Sequence, residues 1–219
     1  MRVLVTRARD DAARTAARLA GLGHEAVIAP LIAIVPAEGV VPDGVFDAVL
    51  ATSVHALTFV ARLPPALSGA TWLVVGERLG DALAMRGWGT PEAVTRDVTA
   101  LIAAIDERYP EPFRFLYLAG RERKPDLERG LRARGHELVA VETYATESID
   151  RWDVDLRSVD VVLHYSRRSA ERFASAASEA EKLHHIAISA DAAAPLLAQG
   201  WGVGIAATPD EDAMLAMLR

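Results

Sequence analysis

"FDAVLATSVHALTFV", residues 46–60, is an apolar run that stops at Thr52-Ser53 and then continues as an amphipathic segment. The arrangement returns as "VDVVLHYSRRSAERF" at residues 159–173. Phe46 answers to Val159, Asp47 to Asp160, Leu50 to Leu163 and Ser53 to Ser166, at a constant offset of 113. A short apolar run closed by hydroxyl residues and followed by a period near 3.6 reads as a buried strand feeding a helix.

Outward from this pair the correspondence covers most of the chain. "WLVVGERLGDALAMRGW" (72–88) falls on "HIAISADAAAPLLAQGW" (185–201), and "TRDVTALIAAI" (95–105) on "TPDEDAMLAML" (208–218), at the same offset. "RVLVTRARD" (2–10) lies on "RFLYLAGRE" (114–122), and "GHEAV" (23–27) on "GHELV" (135–139), at offset 112. Matches at nearly constant spacing indicate a tandem duplication.

Within each unit, β-branched runs (Val3–Val5, Ala26–Ile28, Ala48–Leu50, Trp72–Val75) alternate with helical stretches. The first helix is expected over about 10–21, capped by Asp10 or Asp11 and closed by Gly21 or Gly23; the helix after Gly76 stops at Gly87. Fully apolar strands alternating with helices imply an α/β fold, a doubly wound parallel sheet in each of two domains. Two stretches, 31–44 and 139–152, read as irregular and stand as linkers.

The bulk properties narrow the function. The 219 residues carry a net charge of −6, which argues against a nucleic-acid or membrane-surface binder. There is no cysteine, which removes disulfides, thiolate nucleophiles and thiolate metal sites. The start, "MRVLVTRARDD", turns polar after too few apolar residues for a signal peptide, and "AVIAPLIAIV" (26–35) is half a membrane span, so a cytoplasmic protein is expected. There is no phosphate-binding P-loop, and "VGERLG" lacks the glycine triplet of a dinucleotide fingerprint. The histidines suggest no metal: His184-His185 reads as surface, His24 and His136 as turn residues, and His55 and His164 as packed or hydrogen-bonded. Trp88 and Trp201 read as packing.

In open α/β sheets ligands gather at the carboxyl ends of strands. Thr52, Ser53 and Ser166 fall there; a serine at this point caps the helix, and the same amides can bind an anion. Arg7, Arg9, Arg121, Arg123, Lys124, Arg167 and Arg168 also follow expected strands. On an acidic chain they suggest a focused positive cleft for a polyphosphate, a nucleotide or a polycarboxylate. Tyr144 stands in a linker, where its hydroxyl can face the gap between domains or simply pack.

Taken together, "VLVTRARDDAARTAARLAGLGHEAVIAPLIAI", "FDAVLATSVHAL", "WLVVGERLGDAL", "FLYLAGRERKPDLERGLRARGHELVAVETYAT", "VDVVLHYSRRSAERF" and "AISADAAAPLLAQGW" resemble the uroporphyrinogen-III synthase family from end to end. The resemblance implies two flavodoxin-like domains joined by a two-stranded linker, with an inter-domain cleft. Residues 1–34 with 150–219 would form one domain and 39–140 the inserted other, with linkers at about 35–38 and 141–149. It implies a substrate, hydroxymethylbilane, with eight carboxylates, closed with inversion of ring D and loss of water, without a cofactor or metal. The chain is expected to act as a monomer and, from its charge, to bind neither nucleic acid nor membrane. Tyr144 falls on the family tyrosine proposed to assist departure of the hydroxyl. Thr52, Ser53, Ser166, Arg7, Arg121, Arg123 and Lys124 fall on polar strand-end positions; Arg9, Arg167 and Arg168 join them as substrate-binding candidates.

The chain departs from the family where threonines are usual: Leu79 stands at one such position, and Asp191 with Ala192 at another. A non-catalytic two-domain module binding a small anion is the alternative, although a secretion signal or fused DNA-binding segment is expected of that class. A nucleotide-sugar transferase is a third reading, with domains usually larger than these.

Overall fold

The computed structural model describes residues 1–60, 67, 69–150 and 152–218. In chain order, β1 (Arg2–Val5), α1 (Arg9–Gly21) and β2 (Glu25–Ile28) open the molecule. β3 (Ile32–Pro36) leads to β4 (Ala48–Ala51), α2 (His55–Thr58), β5 (Trp72–Val75) and α3 (Glu77–Met85). Next come β6 (Ala93–Thr95), α4 (Val98–Arg108), β7 (Arg114–Gly120), α5 (Asp126–Arg132) and β8 (Glu137–Ser148). The chain closes with β9 (Val161–His164), α6 (Arg167–Ala176), β10 (His184–Ala187), α7 (Ala190–Leu197), β11 (Val203–Ile205) and α8 (Glu211–Leu215).

The chain divides into two compact units, Met1–Ala33 with Glu147–Arg219, and Ile34–Thr146. The first holds a five-stranded sheet in the order β11-β10-β9-β1-β2, and each of its neighbouring pairs is parallel. The second sheet runs β3-β8-β7-β4-β5-β6, parallel from β8 to β6. The expected doubly wound architecture is therefore present twice.

Central strands are apolar on both faces because both faces are covered. In the second unit, Leu50, Leu73, Phe115 and Tyr117 pack against Leu101 and Ile105 of α4 and Leu127 and Leu131 of α5. The alternate residues Val49, Trp72, Val74, Leu116 and Leu118 pack against Leu57, Leu79 and Leu83. In the first unit, Val3, Val5, Leu163 and Ile186 meet α1 and α8, whereas Leu4 and Val162 meet Phe173, Leu196 and Trp201. Each fully buried leucine contributes roughly 1.5–3 kcal/mol. The expected packing role of Trp201 holds: it is buried and stacked on His185 with ring centroids 5.1 Å apart.

Three expectations differ from the structure. First, α1 begins at Arg9, one residue before the expected start, and Ala8 is its N-cap without a side-chain bond. Asp10 and Asp11 therefore lie in the first turn and favour the positive end of the helix dipole instead of capping it. Second, the stretches expected to be irregular contain β3 and the twelve-residue β8. Ala37 N donates to Thr143 O at 3.2 Å and Gly39 N to Glu142 O at 3.1 Å, pairing the two segments in opposite order. In β8 the buried Leu138, Val141, Thr143 and Ala145 are interleaved with less buried polar residues, so its apolar signal was diluted. Third, His185 is fully buried while His184 is exposed, because adjacent strand residues face opposite sides. Among the described residues no helix is long and apolar enough to cross a membrane.

Candidate active site

β4 and β7 lie side by side with Ala51 opposite Leu118, so their carboxyl ends are brought together. Thr52 follows β4, and its hydroxyl lies 2.8 Å from the Tyr117 phenol oxygen. Ser53 Oγ accepts from His55 N at 3.3 Å, a turn contact ahead of α2. On the other flank of β7, Gly120 is the register partner of Tyr144, just past a bulge at Ala119/Gly120. Arg121 N donates to Tyr144 O at 2.9 Å, and the Tyr144 and His55 rings lie 5.8 Å apart. Burial pushes the Tyr117 phenol up, the Thr52 hydrogen bond opposes this and the nearby Tyr144 phenol adds to it. One strand edge thus carries Thr52, Tyr117, Tyr144 and His55.

The basic residues of this edge are held by carboxylates. Arg123 lies 2.8 Å from Glu128 and 3.3 Å from Glu142, and also donates to Gly120 O at 2.8 Å. Arg121 pairs with Glu142 at 3.2 Å, and Lys124 is exposed ahead of α5.

At the carboxyl edge of the first unit's sheet, the Arg7 guanidinium lies 4.1 Å over the Tyr165 ring. It reaches Glu211 at 3.3 Å and Asp11 at 3.5 Å. Glu211 also accepts from Thr15 at 2.6 Å, Tyr165 at 2.7 Å and Arg18 at 2.6 Å. Burial works to raise the Glu211 carboxyl, but these donors and the Arg7 charge outweigh it and hold its pKa below the ordinary value. Burial raises the Tyr165 phenol strongly, aided by its hydrogen bond to Glu211. Ser166 caps α6, accepting from Ser169 N at 3.2 Å. Arg167 is exposed and pairs with Glu171 at 3.0 Å and Asp191 at 3.7 Å; Arg168 is half-buried in the same turn, and Arg9 is exposed.

The arrangement differs from a rim of unopposed positive charge. Arg7, Arg121, Arg123 and Arg167 each have an acidic partner, as expected where 30 acidic residues outnumber 24 basic ones. The positions that depart from the family threonines are packed: Leu79 and Ala192 are both 1 % exposed. The sequence reading missed Tyr117, Thr15, Glu142 and Glu211. Tyr117 looks like one more apolar strand residue, and only the register of β7 against β4 brings its hydroxyl to Thr52.

A family model described as uroporphyrinogen-III synthase HemD matches residues 13–216. No curated protein is matched by the chain. Among solved structures, uroporphyrinogen-III synthetase from Helicobacter pylori 26695 matches with TM-score 0.73 at 17 % identity, over 100 % of this chain and 98 % of that one. A mutant uroporphyrinogen III synthase from the extremely thermophilic bacterium Thermus thermophilus matches with TM-score 0.59 at 18 % identity, over 100 % and 97 %. The structural likenesses speak for the fold, and the family match runs through nearly all the elements above. The chain belongs to the uroporphyrinogen-III synthase HemD family, and its role lies in tetrapyrrole biosynthesis.

Proposed function

We propose that Tyr144 and the strand-end hydroxyls of the second unit carry out this chain's chemistry, the closure of hydroxymethylbilane to uroporphyrinogen III. The single observation behind the assignment is the Tyr144 phenol at a strand edge, over a residue without a side chain and close to His55 and to Tyr117, which itself holds Thr52.

The Tyr144 O–H donates to the terminal hydroxyl of the bilane as its C–O bond breaks, so that water leaves and an azafulvene cation remains. Ring closure through a spiro-pyrrolenine inverts ring D, and the proton released on rearomatisation restores the phenol. The free bilane closes spontaneously to the non-inverted isomer, so the protein acts chiefly by holding the chain in the productive geometry. Thr52, Ser53 and Ser166, with Arg7, Arg9, Arg121, Arg123, Lys124, Arg167 and Arg168, are the proposed carboxylate partners. An arginine already fixed by a carboxylate presents its remaining N–H groups in a set direction. The acidic, cysteine-free composition suits a protein working in the cytoplasm.

The test incubates the protein with enzymatically generated hydroxymethylbilane, oxidises the product and separates the porphyrin isomers. An excess of isomer III over the enzyme-free control is expected. A ratio equal to that control rejects the reading and leaves a binding module, which the family match does not favour.

A further inference from the structure

We propose that Tyr117 is a positioning residue: its phenol holds the Thr52 hydroxyl so that the Thr52 proton is directed to a carboxylate of the bound substrate. The inference rests on the reading that the carboxyl ends of the second unit's strands meet hydroxymethylbilane, and deepens it by naming a residue beneath the contact surface.

The geometry sets the direction of the bond. Tyr117 is 4 % exposed, and among the described residues the only hydrogen bond of its hydroxyl is the one to Thr52 at 2.8 Å. Either oxygen can donate, but the choices leave different groups unpaired. If Thr52 donated, the buried phenol proton would have no acceptor, the costly outcome for a group removed from water. If Tyr117 donates, the proton left over belongs to Thr52, which is only half-buried at the strand end and can meet solvent or ligand. Because burial raises the phenol pKa, Tyr117 keeps the proton it donates. Thr52 Oγ is then filled as an acceptor by Tyr117, and the hydroxyl rotor settles with its hydrogen away from the phenol. A freely rotating hydroxyl serves any ligand, whereas a fixed donor favours an anionic acceptor such as a carboxylate.

The test compares isomer-III formation by the wild type, Tyr117→Phe, Thr52→Ala and the double variant, with KM and kcat separated. Tyr117→Phe is expected to raise KM about fivefold, the worth of one neutral hydrogen bond, with kcat nearly unchanged. The rise should vanish in the Thr52→Ala background, since there is no hydroxyl left to orient. An unchanged KM in Tyr117→Phe, or an equal rise with and without Thr52, overturns the proposal. Should Tyr117→Phe fail to fold, Thr52→Val carries the same KM prediction and Thr52→Ser should restore the wild-type value; equal KM values for these two overturn it. If the wild type itself yields no excess of isomer III, the functional reading fails first, and the two failures are thereby distinguished.

Discussion

The Tyr144 ring occupies the space that a side chain at Gly120 would need. A Cβ on Gly120 would lie 2.6 Å from Tyr144 Cζ and 2.8 Å from its hydroxyl oxygen. The two residues are register partners immediately past a register shift at which β8 carries one extra residue, Thr143, and such a bulge re-aims side chains at the end of a ladder. Gly120→Ala should therefore push the phenol aside. The atoms that must move are the far end of a flexible side chain, so the unfolding temperature should fall by no more than about 4 °C. Turnover should fall about tenfold or more, because a catalytic group displaced by an ångström loses much of its effect. Wild-type turnover in Gly120→Ala would show that the position of the phenol is immaterial.

Tyr144→Phe removes one oxygen and keeps the ring that packs against the core cluster containing Val141 and Leu118. Turnover should drop about a hundredfold, within the range of a lost general acid, with the circular-dichroism spectrum and unfolding temperature retained. Combining it with Gly120→Ala tests the shared cause, as the double variant should be no slower than Tyr144→Phe alone. Additive losses, or an unchanged rate in Tyr144→Phe, would reduce the tyrosine to a packing residue.

What could be read in advance divides along physical lines. Strands such as Ala48–Ala51 and Val161–His164 are buried on both faces, so hydrophobic runs and their repetition revealed the two sheets directly. β8 escaped because its polar positions Glu142 and Tyr144, which belong to the site, break up the apolar run. The arginines were located, but their charges were read one residue at a time. Glu211 lies 204 residues from Arg7 in the chain, and no local pattern announces that Thr15, Tyr165, Arg7 and Arg18 converge on it. Distant pairings of this kind are set by sheet order and helix docking, which no window of sequence contains.

That convergence makes Glu211 a structural pin between α8 and α1. Glu211→Gln should lower unfolding stability by about 1–3 kcal/mol at neutral pH, since charged hydrogen bonds are lost. The folded-state pKa is lowered, so the contribution is complete above the unfolded carboxyl value and disappears as pH falls through the folded one. Urea midpoints of wild type and Glu211→Gln should consequently differ at pH 7 and converge in strong acid. A constant difference across that range would mean that the charge of Glu211 adds nothing to the fold.

His164 and His185 provide a separate acid response at higher pH. Both are fully buried, with His164 Nε2 lying 3.1 Å from His185 Nδ1 and His185 Nε2 lying 2.9 Å from Ala180 O. A carbonyl only accepts, so His185 carries a proton on Nε2, and because burial disfavours its charged form, Nδ1 is the acceptor of the His164 Nε2–H. In this neutral pair, among the described residues, His164 Nδ1 is left buried without a partner. Burial, with a smaller push from His185, lowers the His164 pKa to about 3, and burial lowers that of His185. In the unfolded chain each titrates near 6.5, so the unfolded state binds protons first as acid is added. Stability should be complete above about pH 6.5 and decline below it by up to about 1.4 kcal/mol per pH unit for each histidine. The decline starts before carboxylates such as Glu211 begin to titrate. Urea titrations between pH 7 and 5 should show it in the wild type and a shallower slope in His164→Leu. Flat stability over that interval would contradict the neutral relay, because two buried histidines cannot stay uncharged in the fold while their unfolded counterparts gain protons without weakening it.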